Sequence, residues 1–191
     1  MTASMDQNRA PDLPKRRMSR LTVILCYAHR DERLREELDK HLSGLRRGGL
    51  IQSWHDRRII PGSDLDPEIN QHLRSCDLIL LLISPDFIDS DYCYRREMRA
   101  ALKRHAKGEA RVIPIILRPV DWRRTPVGRL LALPRDGKPV TTWHRRDEAL
   151  LDVANGVRMA AEEVIARRRS NLPLRANGKP GIRLAALVRE P

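Results

Sequence analysis

Six consecutive apolar residues, Leu78-Ile79-Leu80-Leu81-Leu82-Ile83, constrain this chain more than any other feature. The run is far shorter than the ~18 residues a membrane span needs, and its length suits a strand buried on both faces. Similar runs recur at Leu21–Tyr27, Leu50–Trp54 and Arg111–Leu117. Between them the spacing changes. From Asp31 to Arg46, Leu34, Leu38, Leu42 and Leu45 recur every three or four residues, which is one face of an amphipathic helix, and Gly48-Gly49 ends it. Pro61-Gly62 marks a turn, and Ser63 or Asp64 can cap a helix to about Ser75 with Ile69 and Leu73 facing inward. Ser90 or Asp91 can cap another, with Tyr94, Met98, Ala101 and Leu102 as its buried stripe. Asp147 to about Arg168 reads as a final helix carrying Leu150, Val153, Val157 and Ala161.

Strands alternating with helices predict an α/β domain whose mostly parallel sheet is covered on both faces. Val140–Trp143 supplies a fifth short strand, so the expected architecture is a flavodoxin-like, doubly wound, five-stranded parallel sheet. Right-handed crossovers place the first and third strands side by side at its centre. Pro114 has no N–H for a ladder bond, so its strand belongs near an edge or is bulged. The carboxyl ends of the central strands form the crevice where open α/β sheets bind ligands. Here Tyr27-Ala28-His29-Arg30 and Ser84-Pro85-Asp86 line it. The domain spans residues 20–168, between flexible basic tails at 1–19 and 169–191.

With aromatics at 4% and a single Phe, the core must be aliphatic. The net charge of +12 lies mostly in the ends: five basic against two acidic residues in 1–20, and seven against one in 167–191. Basic tails attract nucleic acid or anionic lipid. No aromatic residues interleave these tails as stacking platforms, and Arg outnumbers Lys throughout, so compositional bias explains them better than nucleic-acid binding. No apolar segment reads as a secretory signal or a membrane span. A cytoplasmic location with Cys26, Cys76 and Cys93 reduced is expected, and three scattered cysteines form neither a disulfide framework nor a zinc pattern.

Several activities of such folds lack their residues here. The first and third strands end in Cys26-Tyr27 and Ser84, not in the acidic residues of a phosphoacceptor site. Neither a phosphate-binding Gly-x-x-x-x-Gly-Lys motif nor a Gly-x-Gly-x-x-Gly turn is present, and Ser84 has no glycine-flanked elbow. The six histidines show no metal-ligand spacing, and no cofactor is called for. Glu97 remains. It lies four residues beyond Cys93, on the same helical face, beside the buried stripe. It can face the crevice, or it can be an ordinary exposed glutamate of the charged segment Arg95-Arg96-Glu97-Met98-Arg99. Cys93, at a helix start, reads either as an activated thiol or as an inert buried one. Trp54 reads equally as a space-filler at a strand end or as a site residue, Trp122 and Trp143 as packing residues, and Asp31 and Glu32 as favouring the positive end of the first helix.

Taken together, the blocks resemble the Toll/interleukin-1 receptor (TIR) domain in its bacterial form. Val23-Ile24-Leu25-Cys26-Tyr27-Ala28-His29-Arg30-Asp31-Glu32 is similar to the family's first-strand signature. Gly49-Leu50-Ile51-Gln52-Ser53-Trp54 and the residues through Gly62 resemble its second strand and following loop. Leu81-Leu82-Ile83-Ser84-Pro85-Asp86-Phe87-Ile88, with Ser90-Asp91-Tyr92-Cys93 and Glu97, resembles its third strand and next helix. Val112–Pro119 and Gly137–Thr141 fit the bacterial subgroup. The resemblance covers roughly residues 20–165.

Many TIR domains cleave NAD between nicotinamide and ribose, using a glutamate in the helix after the third strand. The resemblance puts Glu97 in that role, with NAD as substrate rather than cofactor. It implies substrate contacts at Tyr27, Ala28, His29, Trp54, Asp56, Ser84, Tyr92 and Cys93. It also implies self-association through the loop of His55, Arg57, Arg58, Ile59, Ile60, Pro61 and Gly62. A separately encoded sensor is a further implied partner, and bacterial immunity an implied setting. The segment Tyr92-Cys93-Tyr94-Arg95-Arg96-Glu97 is one residue longer than the Trp-Cys-x-x-Glu the family often carries, worth ~100° of rotation in a regular helix. The alternative function is a non-catalytic scaffold that binds other TIR domains.

Overall fold

The computed structural model describes residues 20–54 and 71–170. Four parallel strands form one sheet among these residues: β1 (Leu21–Cys26), β2 (Ile51–Trp54), β3 (Leu78–Ile83) and β4 (Arg111–Ile116), in the order β2-β1-β3-β4. The register pairs Leu21 with Ile51, Val23 with Leu78, and Leu78 with Arg111. β1 and β3 are adjacent at the centre, and this order is that of a flavodoxin-like, doubly wound fold.

The β3 run is apolar throughout because its alternate residues serve different layers. Leu78, Leu80 and Leu82 join a cluster with Leu38, Leu42 and Leu45 of the first helices and Val153 and Val157 of the last. Ile79, Leu81 and Ile83 join another with Leu73, Phe87, Met98 and Leu102. All six β3 side chains are fully buried. Each contributes about 1.5–3 kcal/mol relative to exposure, which only a three-layer arrangement can supply.

The first helical segment divides into a 3-10 turn (His29–Asp31), α1 (Glu32–His41) and α2 (Ser43–Arg47). Gly49, at φ 73°, takes the left-handed conformation that turns the chain into β2. After β3 comes a short helix the sequence did not announce, α3 (Pro85–Asp89). A π-helical turn (Tyr92–Met98) then runs into α4 (Arg99–Ala106). The last helix, α5, spans Arg146–Ser170.

The expected fifth strand at Val140–Trp143 is instead a 3-10 turn, Val140–Thr142. Its one ladder-like contact is Thr141 N to Leu117 O at 3.1 Å, just past β4. Leu133 occupies the free edge of β4 instead, pairing with Ile115 as a single bridge. Its N–H donates to Pro114 O at 2.8 Å, and its carbonyl accepts from Ile116 N at 2.8 Å. The N and C=O of one strand residue point the same way, so the Pro114 nitrogen also faces this outer edge. The proline therefore costs β4 no bond to β3, as the edge expectation required.

Candidate active site

Beyond Cys26 the chain passes Tyr27 and Ala28 into the turn His29–Asp31. Neighbouring side chains at a strand end point to opposite layers. Ala28 belongs to the cluster of Phe87, Cys93 and Met98, whereas Tyr27 belongs to the other. Arg35 lies over the Tyr27 ring, 5.5 Å from its centroid. The ring expected over the crevice is thus turned toward α1. What Tyr27 presents to the site is its carbonyl, which accepts from Cys93 Sγ at 3.6 Å. His29 is 85% exposed and 4.0 Å from Glu32.

Ser84, directly after β3, makes two interactions. Its Oγ accepts from Phe87 N at 3.0 Å and so caps α3, with Pro85 in the first turn. Its hydroxyl donates to Asp31 Oδ2. Asp31 is only 1% exposed, so it is no mere helix-end charge. Arg118, just past β4, brings Nε to 3.2 Å from Asp31 Oδ1, although the pair lacks hydrogen-bond alignment. The Arg118 Nη2 donates to Asp86, and Arg30 Nη1 reaches the same carboxylate at 3.3 Å. Burial raises the Asp31 pKa above its ordinary 3.8, while the Ser84 hydrogen bond and the Arg118 charge oppose that shift.

The chain then leaves α3 through Ser90, whose Oγ accepts from Cys93 N at 3.2 Å. In the π-turn that follows, i→i+5 bonding takes up one residue more than an α-helical turn. That is the length by which this segment exceeds the family pattern. Cys93, Glu97 and Met98 are all buried as a result, and Glu97 is 7% exposed. The surface-glutamate reading is therefore overturned. Burial, and after it the Glu97 carboxylate, push the Cys93 thiol up to about 12. At neutral pH Cys93 is a protonated, inert thiol.

The structure brings Ala28, Ser84, Cys93 and Glu97 to the carboxyl ends of β1 and β3. Tyr92 is half-buried at the rim with Arg96 over its ring, 5.9 Å from the centroid. Trp54 closes β2, its backbone paired with Ile24. Asp56 and the loop residues His55, Arg57, Arg58, Ile59, Ile60, Pro61 and Gly62 lie outside the described residues. The sequence reading missed Asp31 and Arg118 as parts of the site. Charged residues abutting the carboxyl ends of apolar strands were the available signal. Among the described residues no helix is long and apolar enough to cross a membrane.

The sequence places the chain in a known class. The family profile of the TIR domain matches residues 23–151, more than half of the chain, and the chain belongs to the TIR-domain family. It is 54% identical over 155 residues to the uncharacterized protein y4lF of Sinorhizobium fredii (strain NBRC 101917 / NGR234), covering 81% of this chain. The chain spans about half of that relative, 48% of its length. Among solved structures it is similar to the TIR domain of the Toll-related receptor TRR-2 from Hydra magnipapillata. That likeness has 20% identity and a TM-score of 0.47, over 78% of this chain and 98% of the other. The TIR domains of the activated Roq1 resistosome, which recognizes the pathogen effector XopQ, compare at 22% identity and a TM-score of 0.44, over 79% of this chain and 98% of the other.

Proposed function

We propose that this TIR domain is a signalling effector that cleaves NAD when it self-associates, with Glu97 as the reacting carboxylate and bacterial immunity as its setting. The observation that carries the reading is the burial of Glu97 at the carboxyl end of the sheet, in the π-turn after α3. The chemistry asks for one carboxylate. Nicotinamide in NAD is already cationic, so the glycosidic C–N bond breaks with its electron pair going to the ring nitrogen. The base leaves neutral, without the proton donor that an O-glycoside requires. A buried carboxylate stabilises the oxocarbenium charge left on the ribose, or traps it covalently. Attack by water then gives ADP-ribose and one proton, and attack by a nucleophile within the substrate gives a cyclic product. Ala28 and Cys93, both buried in the apolar layer beneath the strand ends, back the crevice, and Ser84 supports it from within. The family resemblance adds Trp54 and Asp56 as substrate contacts and the loop from His55 to Gly62 as the contact between copies.

The test is NAD turnover by the purified protein at high concentration with a crowding agent, beside Glu97→Gln. We expect nicotinamide release in the wild type and its loss, by ~100-fold or more, in the variant. If neither protein consumes NAD while both self-associate, the domain is a scaffold for other TIR domains instead.

A further inference from the structure

We propose that Asp31, Ser84 and Arg118 form a brace, buried at Asp31 and Ser84 and half-buried at Arg118, that holds the Glu97-bearing π-turn against the carboxyl ends of the strands, with Asp31 and Arg118 as positioning residues. Their role in catalysis rests on the reading of Glu97 given above; the brace itself does not.

Three separate strand exits meet here. Asp31 ends the turn after β1, Ser84 follows β3, and Arg118 follows β4. The Ser84 hydroxyl donates to Asp31 while its oxygen caps α3 through Phe87 N. α3 hands over to Ser90, which holds Cys93 N, and the Cys93 thiol returns to Tyr27 O beside the start of the network. The π-turn is therefore tied twice to the turn after β1. One tie runs through the Asp31–Ser84 bond and α3, the other through Cys93 itself.

A brace made of charge is an expensive way to join strand ends. Burying a carboxylate costs several kcal/mol that apolar contacts do not, so packing alone would favour a hydrophobic replacement. Polar pairs fix distance and direction more narrowly than apolar contacts. Glu97 sits on a π-turn, where no regular helix sets its rotation, so that narrower control has a use here. The Asp31 charge also reaches Cys93, one turn before Glu97. On the outer, solvent-reached side, Asp86 holds Arg118 and Arg30 together.

The test uses Asp31→Asn and Arg118→Lys in the full chain. Asp31→Asn keeps the shape of the side chain and removes its charge; Arg118→Lys keeps the charge and removes the fork that spans two carboxylates. The first measurement is labelling of each cysteine by N-ethylmaleimide, read by peptide mass spectrometry. Cys76, just before the amino end of β3, is buried away from the site and reports global opening; Cys26 ends β1 in the same apolar layer as Cys93 and is no control. In Asp31→Asn we expect Cys93 to label about tenfold faster, with Cys76 within about twofold, the signature of local opening. If Cys76 accelerates with Cys93, or Cys93 does not accelerate, the brace is overturned. The second measurement is NAD turnover, where we expect kcat to fall ~10–100-fold in Asp31→Asn with KM within about threefold, and Arg118→Lys to fall between it and the wild type. If Glu97→Gln abolishes turnover while Asp31→Asn keeps full kcat, the positioning role is overturned. If the wild type leaves NAD intact while Cys93 opens without Cys76 in Asp31→Asn, the nucleosidase reading fails and the brace stands.

Discussion

At the carboxyl ends of β1 and β3, Asp31 and Glu97 are buried and Ser84 is fully enclosed. At the amino ends of the same sheet, charge is equally dense but open to water. Asp77 accepts from Thr22 N at 2.7 Å and from Arg168, Glu163 pairs with Arg111 and with Arg167 at 2.6 Å, and a cleft runs between them past His105. Topology accounts for the difference. In a βα unit the carboxyl end of a strand feeds a helix N-terminus, whose free N–H groups favour acids, as at Asp31 before α1. The amino end receives a helix C-terminus, whose free carbonyls favour arginine. Arg104 shows this by donating to Leu73 O at 2.7 Å and Cys76 O at 2.8 Å. The same strands thus make one site with fixed, desolvated charge and one with screened, exchangeable charge.

That contrast has a measurable size. Ser84→Ala leaves a buried carboxylate without its donor and α3 without its cap, at a cost of about 2–4 kcal/mol. Asp77→Ala at the opposite end removes the acceptor for Thr22 and the pair with half-exposed Arg168, at a cost of about 1 kcal/mol. Urea unfolding of the two variants checks the ratio. Equal losses would mean that the two ends are equally shielded, and the comparison would fail.

The sequence made these two ends unequally legible. β3 was readable because a strand buried on both faces leaves a continuous apolar run, and the α1 leucines because one helical face repeats every three to four residues. Both signals are local. Asp31 depends on Ser84, 53 residues away, and on Arg118, so its burial had no local signature. Without those partners it looked like an acid near a helix start. Val140-Thr141-Thr142 has strand-forming residues, yet Leu133 takes the edge position beside β4 that those residues would have needed. The π-turn left a single trace, one surplus residue between Cys93 and Glu97. Residue types alone did not say whether that surplus would rotate Glu97 away or be absorbed.

The amino end also titrates. Burial, then the charges of Arg111 and Arg129, lower the His105 pKa below its ordinary 6.5. Its Nδ1 accepts from Val112 N at 3.2 Å, which requires the neutral ring. The folded state therefore disfavours the proton that the unfolded chain accepts. The stability from neutral His105 is complete above pH 6.5 and is lost as pH falls toward the folded pKa. Melting temperatures between pH 7.5 and 5 are expected to fall in the wild type and to fall less in His105→Gln, whose side-chain carbonyl accepts from Val112 without titrating. Direct titration of the ring by NMR gives the pKa itself. A value at or above 6.5 would mean that the cleft does not desolvate the ring.

Glu163 should give the smallest effect and the sharpest test of exposure. The hydrogen bond from Arg111 and the charges of Arg111 and Arg167 hold its pKa below the ordinary 4.5. The sign is the reverse of a raised carboxylate. Its contribution is present above pH 4.5 and disappears as pH falls through the lower folded value. The pair lies in solvent, so added salt should weaken it, since the screening length shrinks from about 10 Å at 0.1 M to about 3 Å at 1 M. Wild type and Glu163→Gln are therefore expected to differ slightly in melting temperature at pH 6 and low salt, and to converge both as pH falls through the lowered folded pKa and at 1 M salt. Convergence with acid but not with salt would place Glu163 in a shielded environment like that of Asp31, and the two ends of the sheet would then differ in which residues carry their charge rather than in how water reaches it.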